Sequence, residues 1–351
     1  MATLSPLHAE LAEAGARFAV WFDQTTAGDF GDARAEYEAL VHHVGLVDCT
    51  ARTQLELKGS DRAKFLHNLS TQEIRKLPAG SGGEAFLLDA RGHVLGHVLV
   101  FSGPESLTID TVPGQGPRLR EHLERYCIRE DVAIEDRSGT RAELLVAGAQ
   151  ASVWLAALLK AALPAELLAH VELKLGDIQL SVRRVGMTAT GGFLLSCPAD
   201  EITRLWTALH TAGARACGCD ALEAARIEAG TPWYGRDISE KNLPQEVARD
   251  QQAISFIKGC YIGQETVARI DALGHVNKLL TGVRFQNADC TPEPGAELSA
   301  EGQSAGQITS AAFSPKLGSP LGLAYVRRGR HEPGTKLDSP HGPAEVVSLP
   351  V

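Results

Sequence analysis

The chain has 351 residues, of which 44% are hydrophobic and 22% are charged, and its formal net charge is −9. This length suggests more than one domain, and the composition is typical of folded globular proteins, not of disordered ones. The negative charge argues against direct binding of duplex nucleic acid. No apolar run approaches the ~20 residues that cross a bilayer, so no membrane partner is expected.

The N-terminal 21 residues carry Glu10, Glu13 and Arg17 inside an apolar pattern, so we expect no signal peptide. The seven cysteines are an odd number and are widely spaced. Without a secretory signal, this favours reduced thiols and predicts a cytoplasmic protein.

Helices and β-rich runs alternate along the first three quarters of the chain. Apolar residues at helical spacing predict an amphipathic helix over about the first 20 residues. The elements predicted after it are a helix at 36–43, strands at 54–58, 85–88, 94–101, 106–112 and 142–146, a helix at 153–163, a hairpin at 171–185, a strand at 192–196 and helices at 202–209 and 222–228.

The composition changes again near residue 277. Short strand candidates at 281–285, 306–309, 322–326 and 344–347 alternate with Gly- and Pro-rich turns. The sequence therefore predicts an α+β fold with two antiparallel units, roughly 1–140 and 141–276, and a small C-terminal β-barrel at 277–351.

The segment 258–265 carries a cysteine in a chemically distinctive setting. Gly259 and Gly263 bracket a tight turn, and a helix is predicted to start at 264. Helix N–H groups and the ammonium of Lys258 both favour the thiolate of Cys260, and the same N–H groups form an anion site. The alternative is that Cys260 is a small buried hydrophobe.

The same segment resembles the signature of YgfZ-type proteins, a branch of the glycine-cleavage T-protein superfamily that includes mitochondrial iron–sulphur assembly relatives. The matching letters are Lys-Gly-Cys-Tyr-Ile-Gly-Gln-Glu at 258–265 and Val-Ala-Arg at 267–269. The blocks at 226–230, 233–238, 306–310 and 322–326 are similar to other parts of the superfamily. The resemblance implies a three-domain cloverleaf with tetrahydrofolate in its central opening.

The resemblance also implies roles for individual residues. Cys260 becomes the candidate catalytic thiol, with Lys258 supporting its thiolate, and Glu228 the carboxylate that contacts the pterin. From the residues alone, the favoured alternative is that Glu228 is solvated on a helix that ends at Gly230. The implied folate-binding residues are Glu228, Tyr234, Gly263, Gln264, Glu265 and Arg269.

Three of these assignments have simpler alternatives. Trp233 and Tyr234 are either ligand-stacking or core aromatics. Glu265 and Arg269 lie at the spacing of an ordinary helical ion pair. Cys217 and Cys219 supply at most half of a tetrahedral zinc site, so no metal is predicted.

The chain also departs from the T-protein pattern. Gly96 and His97 stand where the aminomethyltransferase has an acidic pair, and Gln264 replaces an arginine. An imidazole cannot supply a permanent negative charge. The favoured hypothesis is therefore a tetrahydrofolate-binding protein that supports iron–sulphur cluster assembly or repair, or a coupled tRNA-modification step, with assembly or client proteins as partners.

Two other functions remain open at this stage. One is a folate-dependent aminomethyltransferase of the T-protein type that uses a rearranged site. The other is a binding scaffold in which folate is a structural ligand without turnover.

Overall fold

A computed structural model describes residues 2–287 and 290–351; Met1, where the predicted N-terminal helix begins, lies outside them. The elements up to residue 136 are β1 (Thr3–Leu4), α1 (His8–Glu13), β2 (Arg17–Trp21), β3 (Gln24–Asp29), α2 (Ala33–Val41), β4 (Gly45–Asp48), β5 (Thr53–Lys58), α3 (Arg62–Leu69), β6 (Ser81–Leu88), β7 (Val94–Ser102), β8 (Ser106–Thr111), α4 (Gly116–Tyr126) and β9 (Ala133–Asp136).

A second run of strands and helices follows. Its elements are β10 (Arg141–Ala147), α5 (Ala151–Leu159), β11 (His170–Leu175), β12 (Ile178–Val185), β13 (Gly192–Pro198), α6 (Ile202–Thr211), β14 (Arg215–Cys217), α7 (Cys219–Ala229), α8 (Asp250–Ala253) and α9 (Gln264–Leu273), with 3-10 turns at Ala199–Glu201 and Pro244–Val247.

The C-terminal region is all β, as predicted. Its strands close into a barrel in the order β15-β18-β17-β16-β19-β20. The barrel strands are β15 (Lys278–Phe285), β16 (Glu297–Ala300), β17 (Gln303–Ser314), β18 (Ser319–Arg327), β19 (Lys336–Ser339) and β20 (Gly342–Val347).

Two larger sheets and a three-stranded sheet with the order β1-β3-β2 form the rest of the α+β fold. One of the larger sheets has the order β6-β7-β8-β5-β9 and the other β11-β12-β13-β10-β4-β14. Because β4 comes from the first part of the chain and pairs with β10 and β14, the two predicted units are intertwined. The boundaries 1–140, 141–276 and 277–351 themselves stay predictions.

The N-terminal segment differs from the predicted helix. Only His8–Glu13 is helical, and Arg17–Trp21 forms a strand that pairs with β3. Gly15, with φ of 88°, follows the helix end, where a left-handed residue commonly stops a helix. Leu7 and Leu11 are fully buried, so this part of the apolar pattern does mark a buried helix face. Phe18 and Trp21 instead lie on β2, which pairs with β3.

No helix within residues 2–287 or 290–351 has the length and apolarity required to cross a membrane.

Candidate functional site

A cavity of about 190 Å³ lies where the two large sheets meet. One wall comes from β6, β7 and β8. The other comes from the chain next to β11 and β12 and from the segment after α7. The side chains and backbone that line it belong to Arg52, Glu84, His97, Leu99, Asp110, Thr111, Val112, Leu167, Leu168, Gly186, Met187, Thr231, Pro232, Trp233, Arg249 and Gln252.

A buried carboxylate, Glu84 on β6, is the centre of charge in this cavity. Its Oε1 lies 2.7 Å from His97 Nε2 and accepts a 2.8 Å hydrogen bond from Arg249 Nε, while Arg249 Nη2 donates to Oε2. Burial opposes ionisation of Glu84, but hydrogen bonds and charge from His97 and Arg249 outweigh it and lower the pKa of Glu84 to about 2. The carboxylate is therefore ionised at neutral pH.

Glu84 changes the interpretation of the missing acidic pair. Phe86 pairs with His97 across β6 and β7, so Glu84 reaches His97 diagonally on the same face of the sheet. The permanent negative charge that β7 lacks is thus supplied by β6. Gly96 cannot carry a side chain without displacement, since a Cβ there would lie 2.9 Å from Leu119 Cδ2. The absence of an acidic pair on β7 therefore does not leave the cavity without a fixed negative charge.

A second buried carboxylate, Asp110 on β8, also lines the cavity. Its Oδ1 accepts hydrogen bonds from Nε of Arg52, at 2.9 Å, and from Nη2 of the same residue. Its Oδ2 is buried and has no hydrogen bond within the described part of the chain. A buried acceptor without a donor is costly unless a ligand or water satisfies it.

These features fit a pterin ring. Glu84 and Asp110 place two carboxylates in the lining that can accept hydrogen bonds from N–H groups, and the buried ring of Trp233 contributes apolar lining. The volume is below the ~300–1,000 Å³ of sites that enclose drug-sized ligands. The cavity therefore suits the bicyclic ring of a folate, with the rest of the molecule outside it.

The segment that contains Cys260 forms a separate, surface feature. Cys260 is exposed, so it is not the small buried hydrophobe considered from the sequence. Helix α9 begins at Gln264 after Gly263, whose φ is 79°. A Cβ on Gly263 would lie 2.7 Å from the carbonyl oxygen of Asp89, so the position requires glycine both for conformation and for space. None of these residues lines the central cavity.

Lys258 lies in the same segment but is buried. Its Nζ donates to the carbonyl oxygens of His67, Ser70 and Gln72, the last two at 2.6 and 2.9 Å. Burial lowers the pKa of Lys258 to about 7. These hydrogen bonds of Nζ hold the segment against the end of α3. This placement differs from the predicted role of supporting a Cys260 thiolate.

Glu228, the predicted pterin contact, lies away from the cavity. It is 3% exposed, its Oε2 accepts a 2.5 Å hydrogen bond from Tyr37, and its Oε1 accepts one from Ser314. Both carboxylate oxygens therefore join α7 to α2 and to the end of β17. These contacts hold the barrel on the helices, and Glu228 does not line the central cavity, so its contact with the pterin stays a prediction.

The other predicted folate-binding residues also lie outside the cavity lining. The hydroxyl of Tyr234 accepts a 2.6 Å hydrogen bond from Arg118, whose guanidinium covers the ring at 4.4 Å. Gln264 Oε1 accepts from the backbone of the preceding turn at 3.2 Å. Glu265 and Arg269 are exposed on α9. Of the two neighbouring aromatics, it is Trp233 that lines the cavity.

Sequence reasoning missed Glu84, Arg249 and Asp110. Glu84 and Asp110 had a usable signal, because each is an acidic residue in or beside an apolar, β-rich run. Arg249 had none, since its partner lies 165 residues earlier in the chain.

All seven cysteines are free thiols. In the described ranges, no group of three or more His, Cys, Asp or Glu side chains has the geometry to hold a metal ion.

Comparisons with known proteins agree with this architecture. Residues 7–251 match the GCVT N-terminal domain, and residues 278–351 match the glycine cleavage T-protein C-terminal barrel domain. An aminomethyltransferase from Rubrobacter xylanophilus is 26% identical over 92% of this chain and 86% of its own length. One from Herpetosiphon aurantiacus is 27% identical over 95% of this chain and 92% of its own length.

The fold is also that of a solved relative. The glycine cleavage system aminomethyltransferase T from Bartonella henselae superposes with a TM-score of 0.91, at 21% identity, and the match covers 100% of this chain and 98% of that one. Since the two domain models together match nearly the whole length, the chain belongs to the glycine-cleavage T-protein (GcvT) aminomethyltransferase superfamily.

Proposed function

We propose that this protein is a folate-dependent one-carbon transferase of the aminomethyltransferase type, in which Glu84 and His97 act in place of the T-protein's acidic pair. The observation that carries the proposal is the ionised, buried Glu84 carboxylate, bound to His97 and Arg249 inside the cavity. Aminomethyltransferases of the superfamily bind tetrahydrofolate, in agreement with the predicted cofactor. When bound, tetrahydrofolate supplies the nitrogen atoms that carry the one-carbon unit.

The roles of the two side chains follow from their contact. An ionised carboxylate accepts hydrogen bonds and donates none, so the His97 nitrogen that faces Glu84 carries a proton. In the neutral imidazole this leaves Nδ1 as the proton acceptor. Glu84 thus fixes the tautomer of His97 and supplies a fixed negative charge beside the amine that reacts. His97 would act as general base.

The test is methylene transfer to tetrahydrofolate from an aminomethyl donor. We expect Glu84→Gln and His97→Gln each to lower the transfer rate by about 100-fold or more, because general acid–base groups contribute ~10²–10⁴. Tetrahydrofolate binding is measured in parallel. Glu56→Gln, a half-buried carboxylate on β5 outside the cavity, is the matched control and should keep the wild-type rate. Wild-type turnover in the Glu84 variant would refute the proposal.

The second candidate is the function first expected from the sequence, support of iron–sulphur cluster assembly or repair as in the YgfZ branch. The observation that favours it is the surface around Cys260. Phe256 and Ile257 are 47% and 99% exposed in the same loop. A thiol beside two exposed apolar side chains suits contact with a protein partner.

This candidate is tested in cells that lack the gene. Iron–sulphur enzyme activities should fall and should recover with the wild-type protein but not with Cys260→Ser. Cys127→Ser alters a partly buried thiol and should restore them fully. Normal iron–sulphur enzymes in the deletion strain, with loss of glycine catabolism, would instead support the transferase.

A further inference from the structure

A second and larger cavity, of about 540 Å³, lies between the same two sheets but shares no lining residue with the central cavity. One wall comes from β5, β7 and β8 and the other from β10, β11 and β12. Phe101, Pro104 and Pro198 give it an apolar part, while most of its other lining residues are polar or charged. The function proposed above does not use it.

A buried ionic layer separates the two cavities. Arg52 and Asp110 line the central cavity, and Arg183 lines the second. Arg183 Nη1 lies 2.6 Å from Glu143 Oε1 and 3.6 Å from Asp110 Oδ2, and Arg52 Nε lies 3.5 Å from Glu143 Oε2. The four side chains are each 5% exposed or less.

Arg183 is the member of this layer that lines the second cavity, while its partner Glu143 does not. Burial and the charge of Asp110 raise the pKa of Glu143 well above its ordinary value, which weakens Glu143 as a counter-charge for Arg183. A third guanidinium, Arg141, lines the second cavity. It donates to the backbone oxygen of Ser196 at 3.0 Å and forms no ion pair with a described carboxylate.

The lining also contains a donor without a partner. Gln54 is 1% exposed, and its Oε1 accepts hydrogen bonds from Arg183, at 3.3 Å, and from Ser196, at 3.1 Å. These donors fix the orientation of the amide, so Nε2 is a donor. It has no acceptor within the described residues. A buried donor without an acceptor, beside the guanidinium groups of Arg141 and Arg183, suits a ligand with acceptor oxygens.

Two glutamates also line this cavity. Glu56 is bound by Lys58 and Arg137, at 3.1 and 2.9 Å, and is therefore neutralised. Glu172 lies on β11 and its negative charge acts on Arg141, although no ion pair joins the two side chains among the described residues. The guanidinium groups of Arg141 and Arg183 thus keep donors that a ligand can satisfy.

We propose that this cavity is a binding site for a small organic or inorganic anion, held through a carboxylate or phosphate group by Arg141, Arg183 and Gln54 Nε2. Planar guanidinium groups match both anion types, because each offers paired donors. The site is separate from the folate cavity, so the proposal stands whether or not the protein is a transferase.

The test is calorimetric titration of the full-length protein, at low salt, with inorganic phosphate and with succinate. We expect at least one of the two to bind, which also identifies the preferred anion. Arg141→Gln should weaken that binding by about 10- to 100-fold, the effect of losing a charged hydrogen-bond donor. Arg204→Gln, an exposed arginine on α6 whose partners are Asp177 and Glu201, should leave it unchanged.

A second variant keeps the test decisive if the Arg141 variant does not fold. Thr108→Asp places a carboxylate in the lining without removing a cation, and should abolish anion binding while tetrahydrofolate binding persists. Absence of binding by both anions to the wild type would overturn the proposal. Equal binding to the wild type and to either folded cavity variant would overturn it as well.

Discussion

Glu84→Gln should destabilise the protein by about 3 kcal/mol at pH 7. The pKa of Glu84 is about 2 in the folded protein and 4.5 ordinarily, and each unit of pKa corresponds to about 1.4 kcal/mol. The side chain is only 5% exposed, so solvent screens little of this energy. Glutamine cannot replace the ion pair, and its loss leaves the largely buried Arg249 guanidinium without a counter-charge.

The pH dependence separates this mechanism from simple loss of packing. A carboxylate with a depressed folded pKa stabilises the protein above its unfolded pKa, and the stabilisation is lost as pH falls through the folded pKa. The difference in free energy of unfolding between wild type and Glu84→Gln should therefore be constant from pH 7 to about pH 5.5 and should shrink by about 1.4 kcal/mol at pH 3.5. Urea titrations at these pH values measure it. A difference that does not change with pH would refute the electrostatic account.

Three other predictions concern residues singled out from the sequence. Glu228→Gln should lower the free energy of unfolding by about 2 kcal/mol, because it weakens two buried hydrogen bonds to a carboxylate, and should leave tetrahydrofolate affinity unchanged by titration. Gly263→Ala should cost about 2 kcal/mol in urea titrations through its positive φ, whereas Gly259→Ala, with open space around it, should be near neutral. Trp233→Leu should weaken tetrahydrofolate binding about tenfold, and Tyr234→Phe should not. A larger loss of stability in Gly259→Ala than in Gly263→Ala would contradict the role given to Gly263. A larger loss of folate affinity in Tyr234→Phe than in Trp233→Leu, or any loss in the Glu228 variant, would contradict the proposed folate site.

The sequence was informative where the signal is local. The barrel after residue 277 followed from short strands between Gly- and Pro-rich turns, and the requirement for Gly263 followed from a tight turn at a helix start. The N-terminal helix was wrong because apolar spacing alone does not say whether a strand partner exists. Here β3 provides a partner for β2, directly after the two-residue turn between the two strands.

The functional site was harder to predict because its contacts are distant in sequence. The Glu228 carboxylate accepts hydrogen bonds from Tyr37 and Ser314, which lie 191 and 86 residues from it in the sequence. Family resemblance pointed to that block of sequence but not to the direction of its side chain. Likewise, the loss of an acidic pair on β7 was visible, while the contact of Glu84 with His97 depended on the pairing of β6 with β7. All strands that line a cavity contribute to its charge, so the charge cannot be read from the sequence of one strand.

The two candidate functions are joined by one stretch of chain. Arg249 binds Glu84 in the cavity, Lys258 fastens the middle of the stretch to the end of α3, and Cys260 follows at the surface. Thr71 Oγ1 also donates to the backbone oxygen of Ala253, at 2.5 Å. A change in the cavity that displaces Arg249 therefore acts on the segment that presents the thiol. Cys260 is exposed and does not line the cavity, and serine differs from cysteine by one atom, so Cys260→Ser should leave methylene transfer intact. Variants of Glu84, in contrast, should affect both the transfer reaction and any partner contact at Cys260.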